Sequence, residues 1–214
     1  MRITSTKTLL LLLSGAVLFL ISCQKELSFQ DQQGNTGGTG GNNRSIIGDY
    51  DFVGVLAHTS STITVTAAGD QLKTVTVSDY AGKDYTGTTK ITSNQIIATG
   101  IGYSVDTVMN AKSYINGLLI DDSNYPFVAT IPPTSNTTPY VQNNADSITV
   151  TGPFGLATDP SGNAPTGSVG ERISWSGDTL IFKTSVSFTQ SITQGGVPAV
   201  FTGTINATTK LKKR

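Results

Sequence analysis

Hydrophobicity along this chain repeats with a period of two. Between Asp178 and Phe188, the residues Leu180, Phe182, Val186 and Phe188 fall on one phase, with Thr179, Lys183, Ser185 and Ser187 on the other. The C-terminal stretch repeats the pattern. Phe201, Ile205, Ala207 and Leu211 alternate against Thr204, Asn206, Thr208, Lys210 and Lys212. Thr62–Ala67 places Ile63, Val65 and Ala67 together, and Ser147–Val150 is a shorter instance. Successive side chains of a strand point to opposite faces, so these segments predict strands with one buried and one wet face. In the body of the chain no window holds i, i+3, i+4 apolar spacing without a Gly, a Pro or a Thr cluster breaking it, so no helix is predicted there. Composition points the same way: Gly is 23 of 214 residues and Ser plus Thr make up roughly a quarter.

Turn signals separate the strands. Ala68-Gly69-Asp70, Ala81-Gly82-Lys83, Asn116-Gly117, Ser176-Gly177-Asp178 and Gly195-Gly196 supply the positive-φ residues that tight hairpins need. About eight to ten short-spaced strands result, an all-β pattern for one domain over 46–214. The expected architecture is an antiparallel up-and-down barrel, with a β-sandwich as the alternative. A domain of this size can bury roughly 70% of its unfolded surface, enough for one core. Pro132–Pro139 and Phe154–Gly170 read as loops, the first punctuated by proline and the second rich in Gly, Pro and Ser.

The N-terminus reads as a targeting segment. Arg2 and Lys7 precede the apolar runs Leu9–Leu13 and Ala16–Ile21, which are too short and too soon followed by polar residues to span a bilayer. The segment ends in Leu20-Ile21-Ser22-Cys23, and Cys23 is the single cysteine. This resembles the lipobox of bacterial lipoproteins. The resemblance implies a signal peptide over 1–22, cleavage before Cys23, lipidation of Cys23, and attachment to a membrane through its acyl chains. Gln24-Lys25-Glu26 resembles the surface-export signal of Bacteroidota lipoproteins, which implies an outer-membrane and outward-facing location. Gly34–Asn43 contains no apolar residue, so 23–45 is expected to be the lipidated Cys and a flexible tether.

The start of the body, Ile47-Gly48-Asp49-Tyr50-Asp51-Phe52, resembles the first strand of lipocalin-like (calycin) domains, with Tyr50 where that family carries Trp. The closing strand ending Thr209-Lys210-Leu211-Lys212-Lys213 fits the same family. The resemblance implies a barrel that binds a small apolar or amphipathic ligand. Its cavity candidates are Tyr50, Phe52, Trp175, Phe182 and Phe201, with Tyr80, Tyr85, Tyr103, Tyr125 and Tyr140 as further aromatics. The alternative is a non-catalytic envelope module that contacts polysaccharide or a protein partner, its barrel filled by its own side chains.

Little in the chain points to catalysis. One Cys and one His exclude an internal disulfide framework, a thiolate zinc site and a His-cluster metal site, and no cofactor is predicted. The 14 basic and 14 acidic residues cancel, which argues against a nucleic-acid partner. Removing 1–22 takes away Arg2 and Lys7, leaving 12 basic against 14 acidic residues, a net charge of −2. His58 has no Gly-x-Ser-x-Gly elbow to serve and reads as a turn or surface residue. Asp49 with Asp51, and Asp121 with Asp122, would make a hydrolase only if they converged in a cleft; as sequence they read as turn formers. Asp106-Thr107-Val108, Asp146-Ser147-Ile148 and Asp178-Thr179-Leu180 resemble the O-glycosylation signal of extracytoplasmic Bacteroidota proteins, making Thr107, Ser147 and Thr179 candidate glycan carriers.

Overall fold

A computed structural model describes residues 44–151, 168–194 and 196–214. The signal segment, Cys23, the tether up to Asn43 and most of the Phe154–Gly170 run lie outside the described residues. Eight strands follow in chain order: β1 Gly48–Ala67, β2 Asp70–Ile91, β3 Gln95–Ile115, β4 Leu118–Asn144, β5 Ser147–Thr151, β6 Ser168–Ser176, β7 Thr179–Gln194 and β8 Val197–Lys213. Each pairs antiparallel with the next, and β8 returns to β1, so the sheet is one closed up-and-down barrel rather than a sandwich. Closure removes the exposed edges that an open sheet would present.

Among the described residues the barrel has a lower storey, in which all eight strands take part, and an upper storey described for β7, β8 and β1 to β4. β5 has 5 residues and β6 has 9, whereas β1 to β4 have 20, 22, 21 and 27. At about 3.3 Å per residue a 20-residue strand runs about 65 Å. Among the described residues β4 pairs with β5 over Tyr140–Asn144, and β6 pairs with β7 over Glu171–Ser176. All eight strands are described together in this lower storey. Above it the described strands β7, β8, β1, β2, β3 and β4 continue as a tall wall.

The lower storey holds the core. Tyr50, Phe52, Val55, Ile91, Ile96, Ile148, Val150, Leu180, Phe182 and Leu211 are each 3% exposed or less and form one cluster. Fully burying a side chain of this size contributes about 1.5–3 kcal/mol. Residues before β1 close the bottom: Ile46 is buried, and Tyr50 Oη donates to its carbonyl at 2.6 Å. Arg44 lies 3.9 Å over the Trp175 ring and donates to the Gly177 carbonyl at 2.6 Å. Higher up, Ile63 and Val65 share a phase but are only half-buried, as are Thr62 and Thr64 beside them.

Several local expectations are corrected. Asp49 and Asp51 lie within β1 and Asp121 and Asp122 within β4 rather than in turns, and Ser168–Gly170, the end of the expected Phe154–Gly170 loop, opens β6. Pro132–Pro139 is not a loop but lies within β4. Pro132 and Pro133 fall where the β3–β4 register slips, between the pairs Tyr103–Ile131 and Ile101–Thr134. The missing N–H groups therefore interrupt no regular ladder with β3. Ala81-Gly82-Lys83 is not a turn but the middle of β2. A Cβ at Gly82 would come within 2.7 Å of Val55 and 2.9 Å of Tyr85, so the glycine makes room for core side chains. Ala68 (φ 54) with Gly69 (φ 91) and Asn116 (φ 51) with Gly117 (φ 82) do form hairpin turns with two positive φ angles.

Candidate functional site

The five predicted cavity residues separate between the storeys. Tyr50, Phe52 and Phe182 lie inside the packed lower core, Phe52 edge-on to Tyr85 at 5.2 Å and to Tyr103 at 6.0 Å. Trp175 is half-buried at the bottom, beside Tyr50 at 6.4 Å and beneath Arg44. Phe201 belongs to the tall wall, its ring 5.3 Å from that of Phe188. Phe188 and Tyr80 pack on a small second cluster of Ala57, Ile205 and Ala207, while Phe127 and Ile131 of β4 lean on the main core. Above the closed ring, the inward phase thus carries half-buried aromatic and aliphatic groups. Tyr103 and Tyr140 are buried, and Tyr140 Oη donates to the Thr92 carbonyl at 2.7 Å; Tyr125 is exposed.

Two shallow depressions accompany the tall wall. One, about 430 Å³, is lined by Ser60, Thr62, Ser187, Thr189, Thr202 and Thr204 together with Phe188 and Gly203. The strand register stacks its hydroxyls in two rows, Ser187–Thr204–Ser60 and Thr189–Thr202–Thr62. The other, about 510 Å³, contains His58 and Asp79, whose Nδ1 and Oδ1 are 2.8 Å apart. Both side chains are well exposed, so the pair adds little to stability.

The candidate acids do not converge. Asp51 pairs with Arg214 at 2.6 Å. Asp122 pairs with Lys112 at 3.3 Å and accepts from Asn110 at 2.8 Å; these bonds hold its carboxyl below the usual range. Asp121 accepts from Ser123. Among the described residues no three His, Cys, Asp or Glu side chains form a metal-binding group. The candidate glycan carriers all use their hydroxyls locally. Thr107 donates to the Asp79 carbonyl at 2.7 Å, Ser147 to Asn144 Oδ1 at 2.9 Å and Thr179 to Asp178 Oδ1 at 3.3 Å.

One residue of the interior escaped the sequence reading. Glu171 is 3% exposed inside the barrel, paired across strands with Ile148 and Thr184. Its Oε1 accepts from Thr184 Oγ1 at 3.0 Å, and its Oε2 is buried with no hydrogen-bond partner. Burial pushes its carboxyl up to about 7, against a smaller lowering by the Thr184 bond. The signal was available: in Val169-Gly170-Glu171-Arg172-Ile173, Glu171 takes the phase of Val169 and Ile173, both buried. Position matters as well as burial. Glu171 stands one inward step below Val169, and β6 begins at Ser168, opposite the last residue of β5, Thr151. The carboxyl thus lies inside the lower storey, level with Thr184 and two inward steps below Phe188 of β7.

The fold and these placements define an eight-stranded up-and-down antiparallel barrel with a packed base and a taller, partly apolar wall. Comparison with protein-family models, curated proteins and solved structures finds no match.

Proposed function

We propose that this protein is a lipid-anchored outer-membrane lipoprotein, without catalytic activity, whose lipocalin-like barrel binds a small amphipathic ligand in its upper storey. The observation that carries the binding is the contrast between storeys. The base is filled by its own side chains, whereas Phe188, Phe201, Phe127 and Tyr80 line the wall above it only half-buried. Burying an apolar chain against those rings would supply affinity, and a few polar groups would set its orientation. Anchoring rests on Cys23 after Leu20-Ile21-Ser22, with the Gly- and Asn-rich tether giving reach. A Nile red titration tests the binding. Saturable fluorescence enhancement that drops at least severalfold in Phe188→Ser and Phe201→Ser supports it; no enhancement, or enhancement equal in the variants, refutes it.

A second reading draws on a different feature. The β3–β4 hairpin tip exposes Ile115, Leu118, Leu119 and Ile120 at 39%, 72%, 48% and 40%. Such a contiguous apolar tip suits contact with another envelope protein. Crosslinking from Leu118 on whole cells, giving one discrete adduct, would favour this interaction role.

A further inference from the structure

The buried carboxyl of Glu171 has a use that the binding reading leaves open. Its Oε1 is satisfied by Thr184, while Oε2 is buried without a partner. A buried polar atom left unpaired costs on the order of 1–3 kcal/mol, and more if it is charged. Such an atom in a native interior calls for a partner outside the protein's own side chains. Among the described residues no ion pair reaches Glu171; the four that form involve Asp51, Asp79, Asp106 and Asp122. Its cross-strand neighbour Ile148 and its inward-phase neighbours Val169 and Ile173 are aliphatic.

Resting on the ligand-binding reading, we propose that Glu171 receives the polar head of the ligand and that this head is a protonated amine. The geometry sets the order of parts. The acid pairs across with Thr184, and Phe188 stands two inward steps further up β7, its ring 5.3 Å from that of Phe201 on β8. A head at Glu171 therefore leaves a tail free to lie along the rings. An ammonium group gives Oε2 both a donor and a countercharge, and charge-assisted bonds are roughly twice as strong as neutral ones. A carboxylate head would set two acids together, and an alcohol would supply a donor without the charge.

The test is calorimetric titration of the mature protein with dodecylamine, dodecanol and dodecanoate, each below its micelle concentration. Wild type is compared with Glu171→Gln and Glu171→Leu. Both substitutions remove a buried acid, and neither is expected to unfold the barrel. The expected result is dodecylamine bound at least about tenfold more tightly than dodecanol by wild type. That preference is lost in both variants while dodecanol binding persists. Dodecanol binding without an amine preference, or a preference unchanged in the variants, overturns the head assignment and leaves the binding reading standing. Failure of all three chains to bind wild type overturns both.

Discussion

Thr184 Oγ1 donates to Glu171 Oε1 at 3.0 Å inside the barrel, and it is the one hydrogen bond that steadies a carboxyl otherwise enclosed by apolar groups. Burial raises the folded-state pKa of Glu171 to about 7 from an ordinary 4.5. The folded chain then holds a proton that the unfolded chain gives up. The contribution to stability is fully present below pH 4.5 and is lost as pH rises through 7. The loss is on the order of 3 kcal/mol across that window. Urea denaturation at pH 5 and pH 8 should show wild type weaker at pH 8. Glu171→Gln, which cannot titrate, should lose less over the same interval. Equal pH slopes for the two proteins would remove Glu171 as the cause.

The two storeys should differ sharply in their response to truncation. Phe182 is fully buried in the lower core, so Phe182→Ala should cost about 3–5 kcal/mol. Phe201 is half-buried on the wall against Phe188, so Phe201→Ala should cost well under half as much. Chemical denaturation of both variants measures this directly, and similar losses would contradict a packed base beneath a lightly packed wall.

The bottom closure can be followed through the single tryptophan. Arg44 stacks on Trp175 at 3.9 Å and donates to the Gly177 carbonyl. Arg44→Ala should expose the indole, red-shift its emission and cost about 1 kcal/mol. An unshifted spectrum would place Arg44 off the ring in solution.

The proposed attachment to the membrane rests on one residue, Cys23. Metabolic labelling with an alkyne fatty acid should mark the wild-type protein, while Cys23→Ser should be unlabelled and uncleaved. Labelling that survives the substitution would defeat the lipoprotein reading.

Much of the fold could be read from the sequence because a half-buried strand writes its two faces into alternate residues. Leu180, Phe182 and Val186 against Lys183, Ser185 and Ser187 gave β7 its inward phase, and the structure keeps it. The Ala68-Gly69 and Asn116-Gly117 turns were legible because they need residues that tolerate positive φ. The lengths of the strands were not. How far a strand runs depends on the neighbours that continue its ladder, a non-local fact. For the same reason Pro132 and Pro133 looked like loop residues, although at a slip of the β3–β4 register they cost that ladder little. Gly82 looked like a turn because nothing local shows that Val55 and Tyr85 press upon it. Glu171 carried its signal in its phase, but an acid among surface-like residues reads as solvated until its neighbours are known.

Native mass spectrometry on the protein purified gently from its own envelope tests the ligand-binding account most directly. The account predicts a reproducible excess mass that solvent extraction releases, identifiable as an amphipathic molecule, and reduced in Phe201→Ser. A folded protein carrying only its acyl chains, with no extractable excess, would contradict it.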